Sequence, residues 1–429
     1  MTTSAALSLY AICAPGLERL TAGELVALGL RPDAVEPGGV AFEGGGEAVW
    51  RANLWLRTAS RVVVRVAEFR ATAFHELERS ARKVPWERFL APSAPVRFRV
   101  TCRKSRLYHS DAVAQRLLDA VSHRLGEAPR TGGDAADADE EGEGEDAQLF
   151  VVRLFRDQCT ISADSSGALL HRRGYRQAVA RAPLRETIAA ALVLACEWRP
   201  DAPLLDPMCG SGTIPIEAAL MARGIAPGLA ALAGSARTRD FAFTRWPRHD
   251  ARGWDAVVAE AEAARECGRG AAIPPIQGSD RDAGGIAAAT SNARRAGVAD
   301  DVELCVRPIS AVEPPPGPGW LVSNPPYGVR VGAAEGESGR LRNLYASLGK
   351  VARQRCPGWT MGLLVGSGGL EREVGVRFRE LLRTGNGGIP VRLLAGRVEG
   401  ARVGVRVGAG AGAGGAAGRG RGVPEREGS

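Results

Sequence analysis

The sequence predicts an α/β protein in two parts, a small α+β module followed by a doubly wound, mostly parallel sheet. Three observations carry this expectation. From Pro183 onward, short apolar runs alternate with helix-length segments, as strand–loop–helix units do. Before that point strands and helices mix without regular alternation. Two loops, "DPMCGSGT" and "NPPY", each follow an apolar strand, at the sheet edge where open α/β folds bind ligands.

In the first module, "RVVVRVAEF" from Arg61 and "PVRFRVTCR" from Pro95 run apolar or alternate, the pattern of strands. "DAVAQRLLDAVSHRL" has helical spacing, and Asp111 stands where an N-cap would. "QLFVVRLFRDQCTISADSSG" reads as a hairpin turning at Arg156-Asp157-Gln158. Between helix and hairpin, residues 131–147 hold eight acidic residues, no basic one and no large apolar one, so this insert is expected to be disordered. The glycine-, alanine- and arginine-rich tail, 404–429, carries the same expectation.

In the second module, "APLRETIAAALVLACEW" predicts a helix with Pro183 in its first turn. "APLLDPMCGSG" then leads into "TIPIEAALMA", "IPPIQGSD" into "AGGIAAATSNARRAG", and "DVELCV" on to "GWLVSNPPYG". Gly224 to Ala272 is either an insertion or a long helical crossover between the first two strands. "WTMGLLVG" and "IPVRLLAG" complete the sheet, the last as a candidate antiparallel strand.

At 429 residues the chain has room for two or three cores. Its eight cysteines include no CxxC pair and its five histidines no ligand spacing, so neither a zinc site nor a disulfide framework is signalled, and a reducing cytoplasm is the expected setting. The longest uncharged apolar run, Ile188 to Cys196, is too short to span a bilayer, and a monomer with no membrane partner is expected. The formal charge is +8; setting the acidic insert aside leaves +16 on the rest, mostly arginine. Such a surface suits a polyanionic partner, although arginine enrichment also follows from base composition alone.

The chemistry concentrates in the two loops. In "LLDPMCGSGT" a buried strand ends at Asp206, and Gly210 and Gly212 turn the chain into a helix whose N-terminus favours an anionic group. A Walker loop needs Gly-Lys-Ser/Thr; Gly212-Thr213-Ile214 stands here instead, which argues against phosphate cleavage. Asp280 ends the next strand, where a carboxylate can accept two ribose hydroxyls, though either it or Asp282 can cap the following helix. After Trp320-Leu321-Val322 the consecutive prolines must end the strand. The Asn324 oxygen and the Pro325 carbonyl can then accept the hydrogens of an amine, with Pro326 stiffening the backbone and Tyr327 free to stack on a flipped base. Two basic–aromatic patches are candidate RNA contacts: "CRKSRLYHS", with Lys104 and Arg106, and "HRRGYR", with Arg172, Arg173, Tyr175 and Arg176. Tyr108 in the first reads equally well as core, and the second reads equally well as a basic linker.

"YAICAPGLERL", "NLWLRTASRV", "LLHRRGYRQAVARAPLRET", "LLDPMCGSGTIPIEAAL", "GSDRD" and "SNPPYG" occur here in one order. In this the chain resembles the THUMP-domain class I RNA methyltransferases, most closely the branch of the bacterial 23S rRNA guanine-N2 enzymes. The resemblance covers about Tyr10 to Val398. It implies a Rossmann-like methyltransferase domain over 169–403, preceded by a ferredoxin-like region over 1–60 and an α+β THUMP domain over 61–168. It implies S-adenosylmethionine as cofactor, held by Asp206, Pro207, Cys209, Gly210, Ser211, Gly212, Thr213 and Asp280. Asn324, Pro325, Pro326 and Tyr327 would hold the target amine of ribosomal or transfer RNA. One departure stands out: where the family places an acidic residue near the third strand's end, this chain has Arg307-Pro308-Ile309. That replacement is the main sequence argument for a non-catalytic RNA-binding factor.

Overall fold

A computed structural model describes residues 6–91, 94–126, 147–176, 184–229, 237–327 and 337–400. The acidic insert, apart from Ala147, and the tail lie outside these residues, as does Pro183.

The first module supplies β1 (Leu7–Cys13), α1 (Glu18–Ala27), β2 (Pro32–Glu36), β3 (Gly39–Gly44), α2 (Gly46–Trp55), β4 (Ala59–Arg70), α3 (Phe74–Ala81), β5 (Val96–Arg103), α4 (Ser110–Leu125), β6 (Gln148–Phe155) and β7 (Gln158–Asp164). Its strands form one seven-stranded sheet in the order β2-β3-β1-β4-β7-β6-β5. The long strand β4 pairs antiparallel with β1 on one side and β7 on the other, so one sheet runs through both halves of the module. The predicted hairpin is β6–β7, with Arg156 and Asp157 both at positive φ, the backbone of a two-residue I′ turn; Gln158 already belongs to β7. Asp111 does not cap α4. The helix begins at Ser110 with His109 at the cap position, two residues earlier than an Asp111 cap requires, so Asp111 contributes only a negative charge to the first turn.

The second module supplies α5 (Glu186–Ala195), β8 (Leu204–Asp206), α6 (Thr213–Ala222), α7 (Ala251–Arg269), β9 (Ile276–Asp280), α8 (Ala283–Ala296), β10 (Val302–Val306), β11 (Trp320–Ser323), α9 (Glu337–Arg355), β12 (Thr360–Val365), β13 (Arg379–Asn386) and β14 (Ile389–Arg397). The sheet order is β10-β9-β8-β11-β12-β14-β13. The first five strands are parallel, and β14 enters antiparallel to β12 and β13. This is the doubly wound sheet the sequence predicts. Helix α5 starts only at Glu186, after Arg185 in extended conformation.

The stretch between β8 and β9 is more than a crossover. Phe241, Phe243 and, from α7, Trp254, Val257, Val258 and Ala261 are buried in the core of the first module's sheet. Trp254 stands edge-on to Phe241, Phe243 and Trp50, and the Gly228 amide donates to the Leu54 carbonyl at 2.9 Å. Apolar burial at about 25 cal/mol per Å² makes such aromatic packing a strong joint between the two sheets.

Candidate functional site

The parallel strands β8, β9 and β11 end along one edge of the second sheet, above a cavity of about 1790 Å³. Its wall includes Asp206 to Ser211, Thr213, Asp280, Pro308 to Ser310 and the whole run Asn324 to Tyr327. A single small-molecule site takes roughly 300–1,000 Å³, so this cavity has room for two ligands side by side.

The glycine loop is held by its neighbours. Cys209 N–H donates to the Ser279 carbonyl at 2.9 Å, and Gly210 N–H donates to Asp280 Oδ2 at 3.0 Å. Gly210 has φ +52°, and a Cβ there would point into open space. Gly212 serves another purpose: its φ is +83°, and a Cβ would stand 2.9 Å from that of Ala289, so this glycine lets α6 pack against α8 and does not line the cavity. Ser211 is buried, and its carbonyl accepts from Asn292 Nδ2 at 3.0 Å.

The two aspartates divide their tasks. Asp282 caps α8 through the amides of Gly284 and Gly285, which leaves Asp280 at the strand end to organise the loop and face the cavity. Asp206 is fully buried, and desolvation pushes its carboxyl up to about 7 against the opposing hydrogen bonds of the Ser323 hydroxyl, at 2.7 Å, and the Met208 amide. That Ser323–Asp206 bond ties the end of β11 to the end of β8.

Beyond Ser323 the second loop is braced at three points. The Tyr345 hydroxyl, buried beneath it, donates to the Pro326 carbonyl at 3.3 Å. The Tyr327 ring lies against Gly366, where even a Cβ would approach it to 3.3 Å. The Tyr327 hydroxyl accepts from Asn386 Nδ2 at 3.0 Å. Asn324 Oδ1 is buried and has no hydrogen-bond partner among the described residues. A buried acceptor left unpaired costs about 1–3 kcal/mol, so this atom is a candidate acceptor for a ligand hydrogen.

The "HRRGYR" patch is divided by the structure. Arg173 and Tyr175 are buried, 5% and 2% exposed, and both bind Glu217 of α6: the guanidinium as an ion pair, the phenol at 2.8 Å. They hold the interior together, and although Arg173 also borders the cavity, neither side chain is exposed on the surface. Arg172 and Arg176 line the cavity; Arg176 also donates to the Leu184 carbonyl and stands 3.2 Å from Glu186. In the other patch Lys104 and Arg106 are exposed, and Tyr108, 68% exposed beside His109, is not core. The exposed Arg153 and Arg156 lie over Phe155 on the neighbouring strand end.

Sequence reasoning did not single out Glu186 or Asn386 as part of this cavity. Glu186 heads α5 and is 2% exposed; burial pushes its carboxyl up to about 7 despite Arg176. A lone carboxylate at the head of "ETIAAALVLA", a helix apolar all round, was the available signal. For Asn386 it was Asn-Gly-Gly, a hairpin-turn sequence. At the third strand's end, among the described residues, this segment brings no carboxylate to the cavity wall: Arg307 N–H donates to the Asp280 carbonyl at 2.8 Å, and Ser310 is the polar side chain that it contributes. No described helix is long and apolar enough to cross a membrane.

Comparison with known proteins agrees with this arrangement. Residues 8–63 match the RlmL ferredoxin-like domain, 71–164 the THUMP domain, and 173–381 the RMKL-like methyltransferase domain. A putative RNA methyltransferase, slr0064 of Synechocystis, is 34% identical over 90% of this chain and 95% of its own length. The ribosomal RNA large subunit methyltransferase K/L of Syntrophotalea carbinolica is 38% identical over 91% of this chain, which spans only 53% of that longer protein. Among solved structures, SMU.472, a putative methyltransferase complexed with S-adenosylhomocysteine (SAH), superposes with TM-score 0.76 at 30% identity, covering 94% of this chain and all of the other.

Proposed function

Because this chain belongs to the family of THUMP-domain, RlmL-like RNA methyltransferases that use S-adenosylmethionine, we propose that it methylates the exocyclic N2 amine of a guanosine in 23S ribosomal RNA. The observation that carries the reading is Asn324 Oδ1, a buried acceptor without a partner among the described residues, on a residue that lines the same cavity as the glycine loop. A ring nitrogen such as guanine N7 presents a lone pair and would meet that oxygen unfavourably, whereas an amine presents hydrogens.

The cavity suits the cofactor. Gly210 leaves open space beside the loop, Asp280 offers a carboxylate to ribose hydroxyls, and Ser310, a polar side chain in the cavity wall, is our candidate partner for the adenine where the family's acidic residue is replaced. When bound, the cofactor supplies an electrophilic methyl group. The chain's own task is to hold the amine: Asn324 Oδ1 and the Pro325 carbonyl accept its two hydrogens and draw the nitrogen lone pair out of conjugation with the ring. Tyr327, fixed by Gly366 and Asn386, stacks on the flipped base. Lys104, Arg106 and Tyr108 offer an RNA-binding surface on the first module, and Arg172 and Arg176 in the cavity wall offer a second.

Gly210→Trp should abolish SAH binding in calorimetry by filling the open space, with circular dichroism unchanged. Retained affinity would place the cofactor elsewhere. Nucleosides from ribosomal and transfer RNA of a strain lacking the gene should show N2-methylguanosine missing from 23S RNA, restored by the wild-type gene. Loss from transfer RNA alone, or loss of N7-methylguanosine or N6-methyladenosine in its place, would overturn the assignment.

A further inference from the structure

We infer that Asn386 determines base specificity: its side-chain oxygen accepts the N1–H of the target guanine. This rests on the guanine-N2 reading above and deepens it.

The residue sits on a stiff support. β13 and β14 join through Gly387 and Gly388, at φ +56° and +80°, a two-residue I′ turn with Asn386 paired to Ile389 across it. Asn386, Gly387 and Ile389 all line the cavity, so the hairpin tip forms part of its wall. Asn386 is 7% exposed, and its amide is oriented by donation from Nδ2 to the Tyr327 hydroxyl. The remaining oxygen, Oδ1, is buried and has no hydrogen-bond partner among the described residues.

Two residues with a buried, unpartnered acceptor, Asn324 and Asn386, therefore line one cavity, and Asn386 is hydrogen-bonded to Tyr327 at the end of the loop that carries Asn324. Guanine carries N1–H directly beside its N2 amine, so one Watson–Crick edge supplies hydrogens to both oxygens. Adenine carries a bare N1 beside its N6 amine and would turn a lone pair toward the second oxygen. A flipped base is read along this edge, and a buried acceptor left unpaired penalises the wrong one.

The test uses the full-length protein and a synthetic RNA bearing the mapped target position as guanosine or as 2-aminopurine riboside, which keeps the N2 amine but has no hydrogen on N1. Wild type should prefer guanosine in kcat/KM. Asn386→Ala should lower kcat/KM for guanosine by about tenfold to a hundredfold. For 2-aminopurine it should change little, so the preference collapses while SAH affinity by calorimetry is preserved. Asn386→Asp keeps an acceptor and should keep the preference. Tyr327→Phe retains the stacking ring but frees the amide, and should weaken the preference partway. An alanine variant that slows both substrates equally assigns Asn386 a structural role and overturns the inference. So does a wild-type preference for 2-aminopurine, which would mean the amide presents its donor to the base. If wild type places its methyl group on a different base or atom, the guanine-N2 reading itself falls and the inference with it.

Discussion

Asn324→Ala is expected to lower the rate of methyl transfer by roughly two to three powers of ten, as loss of a preorganised polar group does elsewhere. Affinity for SAH and for RNA should change little, because Asn324 Oδ1 has no partner among the described residues whose loss would unsettle the fold. The braces around it, Ser323 on Asp206 and Tyr345 on the Pro326 carbonyl, remain in place in the variant. Single-turnover kinetics with labelled cofactor measures the step directly. A fully active variant, or a product methylated on a ring carbon, would remove this loop from the chemistry.

Glu217→Ala should be the most damaging substitution for stability. The carboxylate is fully buried and holds both Arg173 and Tyr175, while Arg173 also donates to the Arg57 carbonyl. Removing it leaves a guanidinium buried without its counter-charge, beside a second buried arginine, Arg57, whose pKa burial already lowers to about 10. Breaking one side of such a pair costs about 3–5 kcal/mol. Chemical denaturation should show this as a lowered midpoint. A shift corresponding to less than about 1 kcal/mol would mean that the triad is solvated in the native protein.

The strand edges that build the site were legible because their signals are local. An apolar run stopped by Asp-Pro or Asn-Pro-Pro, followed by glycine or a helix, declares a strand end whatever lies beyond it. Arg173 and Tyr175 were illegible for the opposite reason. Their partner Glu217 lies more than forty residues away on helix α6, and a buried ion pair has the same composition as a basic surface patch. Strand β13, "RELLRTGN", went unnoticed because it is a polar edge strand with a bulge and no clear alternation, and the role of Asn386 was hidden with it. The crossover was visible as a long gap between two strands, but its destination in the other module's core depends on where Trp254, packed on Phe241, meets Trp50, which no local pattern encodes.

That joint has a consequence for target choice. A module attached by a loose tether raises the local concentration of its RNA near the catalytic loop and leaves any accessible guanosine eligible. Here the chain between β8 and β9 is packed into the first module's sheet by Phe241, Phe243 and Trp254, so the two working surfaces keep a fixed offset. On the proposed function, RNA anchored on Lys104 and Arg106 would be measured as by a ruler: a guanosine at one distance from the anchoring point would be presented to Asn324, and its neighbours would be out of reach however reactive they are.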